Sequence, residues 1–296
     1  MKPLVSITIL VRDTGAILDE FLLRLKSQVT NYSYELVVIY FGDGKKTYNK
    51  VKLCASKIKK IKKEDFNYGE TRDLACRLAS GKYIVSVSVD ALPINKFWLQ
   101  NLIEPLVLKK ADVVQGVLQC PNSDDLNYLN FFYWERNYWF YFTSEGGSFL
   151  KRNSNFKSNN IFGLSCVNLA FTKEVWKETG FSGARYCEDK VFQKKAFEKG
   201  YKFIYQKNSI VLHAHSYKTI YSLFKRCSNE GLGWRDIGSN YGIYLLLKDI
   251  FRLDIQFLTL RALLKKDLKF LSEALFVLIR PIGLFWGNKF AKSVYQ

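Results

Sequence analysis

Three places in the chain hold residue types suited to acid–base and phosphate chemistry. Asp90 follows the apolar run Tyr83-Ile84-Val85-Ser86-Val87 and stands just before Leu92-Pro93. Glu188-Asp189 opens a segment with helical spacing, and His213-Ala214-His215 closes a strand-like run. A reaction that expels a diphosphate needs a cation, metal or Lys/Arg, to neutralise the leaving group. It also needs a carboxylate to take the proton of the attacking hydroxyl. His213 and His215 are the only histidines, and on a strand residues two apart face the same way, so both rings can point at one site. Imidazole beside carboxylate suits Mn, whereas Mg prefers oxygen alone. Each position also has an ordinary reading: Asp90 as a turn residue before proline, Asp189 as a first-turn acid or N-cap, the histidines as polar strand ends.

The segments that must position these residues alternate between two periods. Residues 4–11 and 35–41 are Val- and Ile-rich and read as buried strands. Between them, Ile17, Leu18, Phe21, Leu22 and Leu25 recur at helical spacing. The loops after the two strands read Arg12-Asp13-Thr14-Gly15 and Gly42-Asp43-Gly44. This rhythm predicts a parallel sheet covered by helices. A helix over 71–80, capped by Gly81, then leads into a strand over 82–89. Ligands of open α/β sheets sit beyond the carboxyl ends of strands, where Asp90 falls. Further on come a strand and short helix (168–180), a helix from Glu188 to Gly200, and strand-like runs at 201–205 and 209–212. Residues 121–162 are crowded with aromatics, read as core or groove wall, and then turn polar like a lid loop.

Composition narrows the class. At 296 residues and 48% hydrophobic, the chain can bury a sizeable core. The start lacks the pattern of a secretory signal, and no run reaches the roughly 18 apolar residues of a spanning helix, so a cytoplasmic location is expected. Six scattered cysteines without a Cys-x-x-Cys pair argue for reduced thiols. The net charge of +18 calls for a polyanionic partner, unless it reflects a general lysine bias. The chain holds no RNP motif, zinc finger or long basic arm, which argues against nucleic acid and for an anionic membrane surface with a phosphorylated substrate.

The ordered set of segments resembles family 2 glycosyltransferases, and more narrowly their rhamnosyltransferase-like branch. The segments are Phe66-Asn67-Tyr68-Gly69-Glu70-Thr71-Arg72-Asp73, Ala79-Ser80-Gly81-Lys82-Tyr83, Asp90-Ala91-Leu92-Pro93, Glu188-Asp189, Gly200-Tyr201-Lys202 and His213-Ala214-His215 with Arg226. The resemblance implies an α/β GT-A fold: a Rossmann-like, mostly parallel sheet with flanking helices, here followed by a C-terminal helical appendage. Residues 1–235 would form the transferase domain, with 1–120 as the nucleotide-sugar half and 121–235 as the acceptor half, and 236–296 a basic, Leu-rich tail. It implies transfer with inversion, with Asp189 as general base beside Glu188. Asp90, His213 and His215 would hold a divalent metal, Mg or Mn. Arg12, Asp13, Asp43, Arg72, Asp90 and Arg226 would contact the nucleotide-sugar donor, and Asn168 would lie near a sugar.

The chain departs from the family pattern in ways that bear on the site. The second-loop acid is displaced to Asp43, the usual pair of metal acids is reduced to Asp90, and Tyr68 and Asp73 replace a His and an Asn. The expected reaction moves L-rhamnose from dTDP-rhamnose onto a lipid-linked or surface-polysaccharide acceptor. The alternatives are a UDP-hexose donor and a catalytically inactive scaffold subunit. The tail reads as a peripheral contact with the inner face of the membrane, or as a helical appendage that packs on the domain or makes a homodimer.

Overall fold

The computed structural model describes residues 2–119, 164–182, 186–213, 219–251, 264 and 268–291. They fall into two compact units, the first holding residues up to 119 and 164–213, the second residues from 219 onward. The aromatic run, the lid-like stretch and His215 lie outside the described residues.

The first unit is built on one sheet, which among the described residues has eight strands in the order β3-β2-β1-β4-β7-β6-β8-β5. These are β1 (Val5–Val11), β2 (Tyr34–Tyr40), β3 (Lys57–Lys60), β4 (Tyr83–Val87), β5 (Leu92–Pro93), β6 (Val113–Gln119), β7 (Asn168–Thr172) and β8 (Phe203–Leu212). The first four are parallel, β7 runs antiparallel to both β4 and β6, and β6 is parallel to β8. The expected parallel rhythm therefore holds at one end of the sheet and becomes mixed at the other. Helices α1 (Gly15–Lys26), α2 (Lys45–Cys54), α3 (Tyr68–Leu78), α4 (Trp98–Val107), α5 (Lys173–Thr179) and α6 (Glu188–Glu198) cross over between strands. Ile7, Ile9, Val37, Val38, Ile39, Ile84 and Val85 are fully buried, as a sheet covered on both faces requires. The edge strand β3 carries Lys57, Lys59 and Lys60, charges that discourage pairing with another chain.

The helix expected over 71–80 begins at Tyr68, because the Asn67 side chain accepts the Glu70 amide at 3.2 Å. It ends at Leu78, and Gly81 is not its cap. The carbonyls at its end are instead met by lysines: Lys57 Nζ donates to Leu78 O at 2.7 Å and Lys173 Nζ to Ala79 O. Gly81 lies so close to β1 that a Cβ would sit 2.7 Å from Ser6 N. The two strand-like runs at 201–205 and 209–212 are one strand, β8, whose register against β6 shifts between Gly116 and Val117.

The second unit contains α7 (Ile220–Asp236), α8 (Ile243–Ile250) and α9 (Leu268–Lys289). Helices α7 and α9 pack with almost no space between their backbones. A Cβ on Gly231 would lie 2.1 Å from Leu284 O, and one on Gly287 1.8 Å from Ser228 O. Arg280 clasps Glu230 with two bonds, of 2.7 and 2.8 Å. The helix α9 continues through Pro281. Among the described residues no helix is long and apolar enough to cross a membrane. Cys76, Cys166 and Cys227 are buried, with thiol pKa values raised by burial.

Candidate active site

The two groups that matter most adjoin strand β4. It ends at Val87, and the chain turns sharply as Ala91 N donates to Ser88 O at 3.0 Å. Val89 and Ala91 point into the core, so Asp90 between them is presented outward, its side chain 43% exposed. The two residues of β5 then pair with the end of β8, Leu92 opposite Leu212. That pairing brings His213, the next residue, level with the turn: its Nδ1 lies 3.6 Å from Asp90 Oδ1. This is too long for a hydrogen bond and short enough for an ion pair or a shared ligand. The His213 amide donates to Gln119 O at 2.9 Å, which fixes its backbone. Strand β8 stops at Leu212, and His215 lies outside the described residues.

The second group joins helices α3 and α6 to the sheet at Ser86 of β4. Arg72, on α3, donates from Nε to Glu188 Oε1 at 2.8 Å and from Nη1 to Ser86 Oγ at 2.8 Å. Ser86 Oγ in turn donates to Cys166 O at 3.1 Å. Arg72 and Glu188 side chains are each 10% exposed. Arg72, expected at the donor, is thus engaged inside the protein, and Glu188 is its counter-ion. Asp189, the neighbour of Glu188, stands in the first turn of α6 with its side chain 18% exposed and Lys190 Nζ 3.6 Å from its Oδ2. Burial, and then the charge of Glu188, raise its pKa above the ordinary carboxylate value against the opposing pull of Lys190 and Arg72. Cys187, just before α6, adopts a left-handed conformation (φ 62°, ψ 34°). A non-glycine residue there carries strain of about 1–3 kcal/mol, a cost often found next to functional groups.

The first loop is clasped to the second. Asp13 accepts from Tyr40 Oη at 2.7 Å and from the Asp43 and Gly44 amides at 3.0 Å each. The Tyr40 hydroxyl, followed by the Asp43 amide, holds the Asp13 carboxyl below its usual range. Tyr40, pushed by burial and then by Asp13, rises to about 12. Arg12 and Asp43 are exposed beside this knot. Phe41 stacks on Phe66 with ring centroids 3.9 Å apart, and Tyr68 meets Phe66 edge-on at 4.8 Å.

Sequence reasoning gave no role to Tyr40, Ser86 or Asp73. Asp73 accepts from Trp176 Nε1, Phe181 N, Ser182 N and Ser182 Oγ, and so anchors the segment that precedes α6. Its place in Thr71-Arg72-Asp73 was the available signal. The Asn168 side chain, expected near a sugar, is held by partners inside the protein. It is fully buried, takes Trp98 Nε1 at 3.0 Å, and donates to Val117 O and Ser209 O at 3.1 Å each. Arg226 is an exposed residue of α7 in the second unit.

The donor set available for a divalent ion is modest. Among the described residues no three His, Cys, Asp or Glu side chains converge. Asp90 and His213 supply one oxygen and one nitrogen, a pair that fits Mn when diphosphate oxygens and water complete the shell.

The architecture, a mostly parallel sheet with an acid at the carboxyl end of β4 and a mixed sheet beyond it, is that of the GT-A glycosyltransferases. A mannosyltransferase from Pyrobaculum calidifontis, PcManGT, solved with GDP-Man and Mn2+, is similar in fold at a TM-score of 0.65 and 14% identity, covering 99% of this chain and 89% of that one. Residues 1–349 of TarS from S. aureus give a TM-score of 0.56 at 12% identity, covering 97% and 91%; the same segment solved with UDP-GlcNAc gives 0.55 at 13%. The glycosyl transferase family 2 profile matches residues 6–180, so the chain belongs to that family and is a glycosyltransferase. No curated protein sequence matches it.

Proposed function

We propose that the chain is an inverting transferase that takes a sugar from a nucleoside diphosphate and joins it to an acceptor hydroxyl, with Asp189 as general base. The observation that carries this reading is the pairing of Asp90 with His213 at the carboxyl end of β4, where open α/β sheets bind their ligands. Asp189 supplies a carboxylate whose raised pKa makes it a better proton acceptor once ionised. The Arg72–Glu188 pair positions it by fixing the first turn of α6 against β4 through Ser86. Asp90 and His213, with His215, would hold a divalent ion that neutralises the leaving diphosphate when bound. Binding of GDP-Man with Mn2+ by PcManGT and of UDP-GlcNAc by TarS supports a nucleotide-sugar donor and a metal.

The clasp of Asp13 on Tyr40, Asp43 and Gly44 shapes the loop pair beside which the nucleotide would lie, with Arg12 at its rim. dTDP-L-rhamnose is the first donor to try, on the strength of the Thr71-Arg72-Asp73 and Asp90-Ala91 segments. The acceptor is a lipid-linked or surface glycan reached at the inner face of the membrane, a reading supported by the charge of +18. Melting of the purified protein with dTDP-rhamnose, UDP-hexoses and GDP-mannose, each with and without Mn2+ or Mg2+, tests the donor site. One nucleotide sugar should raise the melting temperature more than the others, and more with metal. No rise with any of them would overturn the proposal.

A further inference from the structure

Helices α7 and α9 lie antiparallel: Arg280 meets Glu230 toward one end, Gly283 meets Cys227, and Trp286 faces Phe224 at a centroid distance of 6.4 Å toward the other. That second end, where α7 begins and α9 finishes, carries large apolar side chains outward. Ile220 is 49% exposed, Tyr221 70%, Trp286 51% and Phe290 59%. Trp286 and Phe290 touch, 5.1 Å apart, and with Ile282 (45% exposed) they recur every fourth residue along α9, one above another on a single face. Helix α8 adds a second stripe. Ile243, Tyr244, Leu247 and the following Phe251 are all exposed, and no residue of the helix is buried. Its start is tied to the same end of α9, since Asn288 accepts the Tyr241 amide at 3.0 Å and donates to Ser239 O at 2.9 Å. Exposure of this size, on helices already packed by their other faces, marks a surface made to be covered.

Charge indicates what covers it. Lys225 and Lys289 stand exposed on the rim, and Lys289 Nζ donates only to the neutral amide of Asn240 among its described bonds. The acids nearby are engaged elsewhere: Glu230 holds Arg280, and Asp249 accepts the Tyr241 hydroxyl. A second copy of a chain with net charge +18 would set like charge against like. Trp and Tyr with flanking lysines are instead the side chains that settle at the boundary of an anionic bilayer, their rings among the acyl chains and their polar tips in the headgroups.

We propose that the α7–α9 end, with the α8 stripe, is the face by which this enzyme lies on an anionic membrane. The inference rests on the membrane contact proposed above and assigns it to particular side chains. The test is co-sedimentation of the full chain with phosphatidylcholine vesicles, with and without phosphatidylglycerol. It is run on wild type, Tyr221→Ser/Phe290→Ser and Lys225→Glu/Lys289→Glu, with light scattering of the protein alone. Wild type should pellet with the anionic vesicles only, and each double variant should partition about tenfold less or weaker. The variants should keep wild-type melting and donor binding. No binding by wild type would overturn both this inference and the membrane contact beneath it. Binding retained in both variants would overturn this face alone and move the contact to another part of the chain. A wild-type dimer that the variants split would give the face to a second copy and also overturn the proposal.

Discussion

Removing Glu188 alone should harm the protein more than removing Glu188 and Arg72 together. The two groups are 2.8 Å apart and 10% exposed on each side. Their attraction is roughly 4–6 kcal/mol at an effective dielectric of about 20, and the desolvation of two ions takes back most of it. Glu188→Ala leaves the guanidinium in place with only Ser86 as a described side-chain partner, and an uncompensated buried charge costs about 3–5 kcal/mol. At roughly 2–3 °C per kcal/mol for a chain of this size, the melting temperature should fall by about 6–15 °C. Arg72→Met/Glu188→Leu fills the same space without either charge, and should melt within about 3 °C of wild type. Thermal and urea denaturation at low and moderate salt give the comparison, and salt should change it little because the pair is shielded from solvent. A Glu188→Ala variant as stable as wild type, or a double variant worse than the sum of the singles, would refute the reasoning.

Other expected outcomes bear on the remaining groups. Asp189→Asn should be more stable than wild type at neutral pH. The folded pKa of Asp189 is raised, so its contribution is full only below the unfolded value of about 3.9 and is lost as pH rises through the folded one. Melting curves from pH 4 to 8 should show the gain shrinking toward acid. In wild type the transfer rate should fall on the acid side at a pH above the ordinary carboxylate range, read from a pH–rate profile. Tyr40→Phe removes the largest of the influences holding the Asp13 carboxyl low and should cost about 1–2 kcal/mol, with weaker donor binding by calorimetry. Gly116→Ala places a Cβ 2.2 Å from Asn168 Nδ2 and should cost about 2–3 kcal/mol in urea unfolding.

Much of this was legible in the sequence because parallel strands buried on both faces leave unbroken apolar runs, as in β1, β2 and β4. Asp90 and Glu188-Asp189 could be found because strand ends and helix starts have local signals. Their partners were not legible. Arg72 and Glu188 are 116 residues apart, and nothing local says that the guanidinium turns inward. Asn168 read as a sugar contact, yet its amide bridges strands whose pairing depends on the shift at Gly116 and Val117. Gly81 looked like a helix cap, but what demands glycine there is the nearness of Ser6, a contact across 75 residues. His213 could be placed because it follows directly on Leu212, the last residue of β8, whereas His215 lies outside the described residues.

The central claim, a base at Asp189 in a working donor site, is tested most directly by one paired measurement on wild type and Asp189→Asn. Release of nucleoside diphosphate from the preferred donor in the presence of acceptor is followed alongside donor affinity by calorimetry. The account predicts that turnover falls about 100-fold to 10,000-fold while the donor still binds. Wild-type turnover in Asp189→Asn would contradict it.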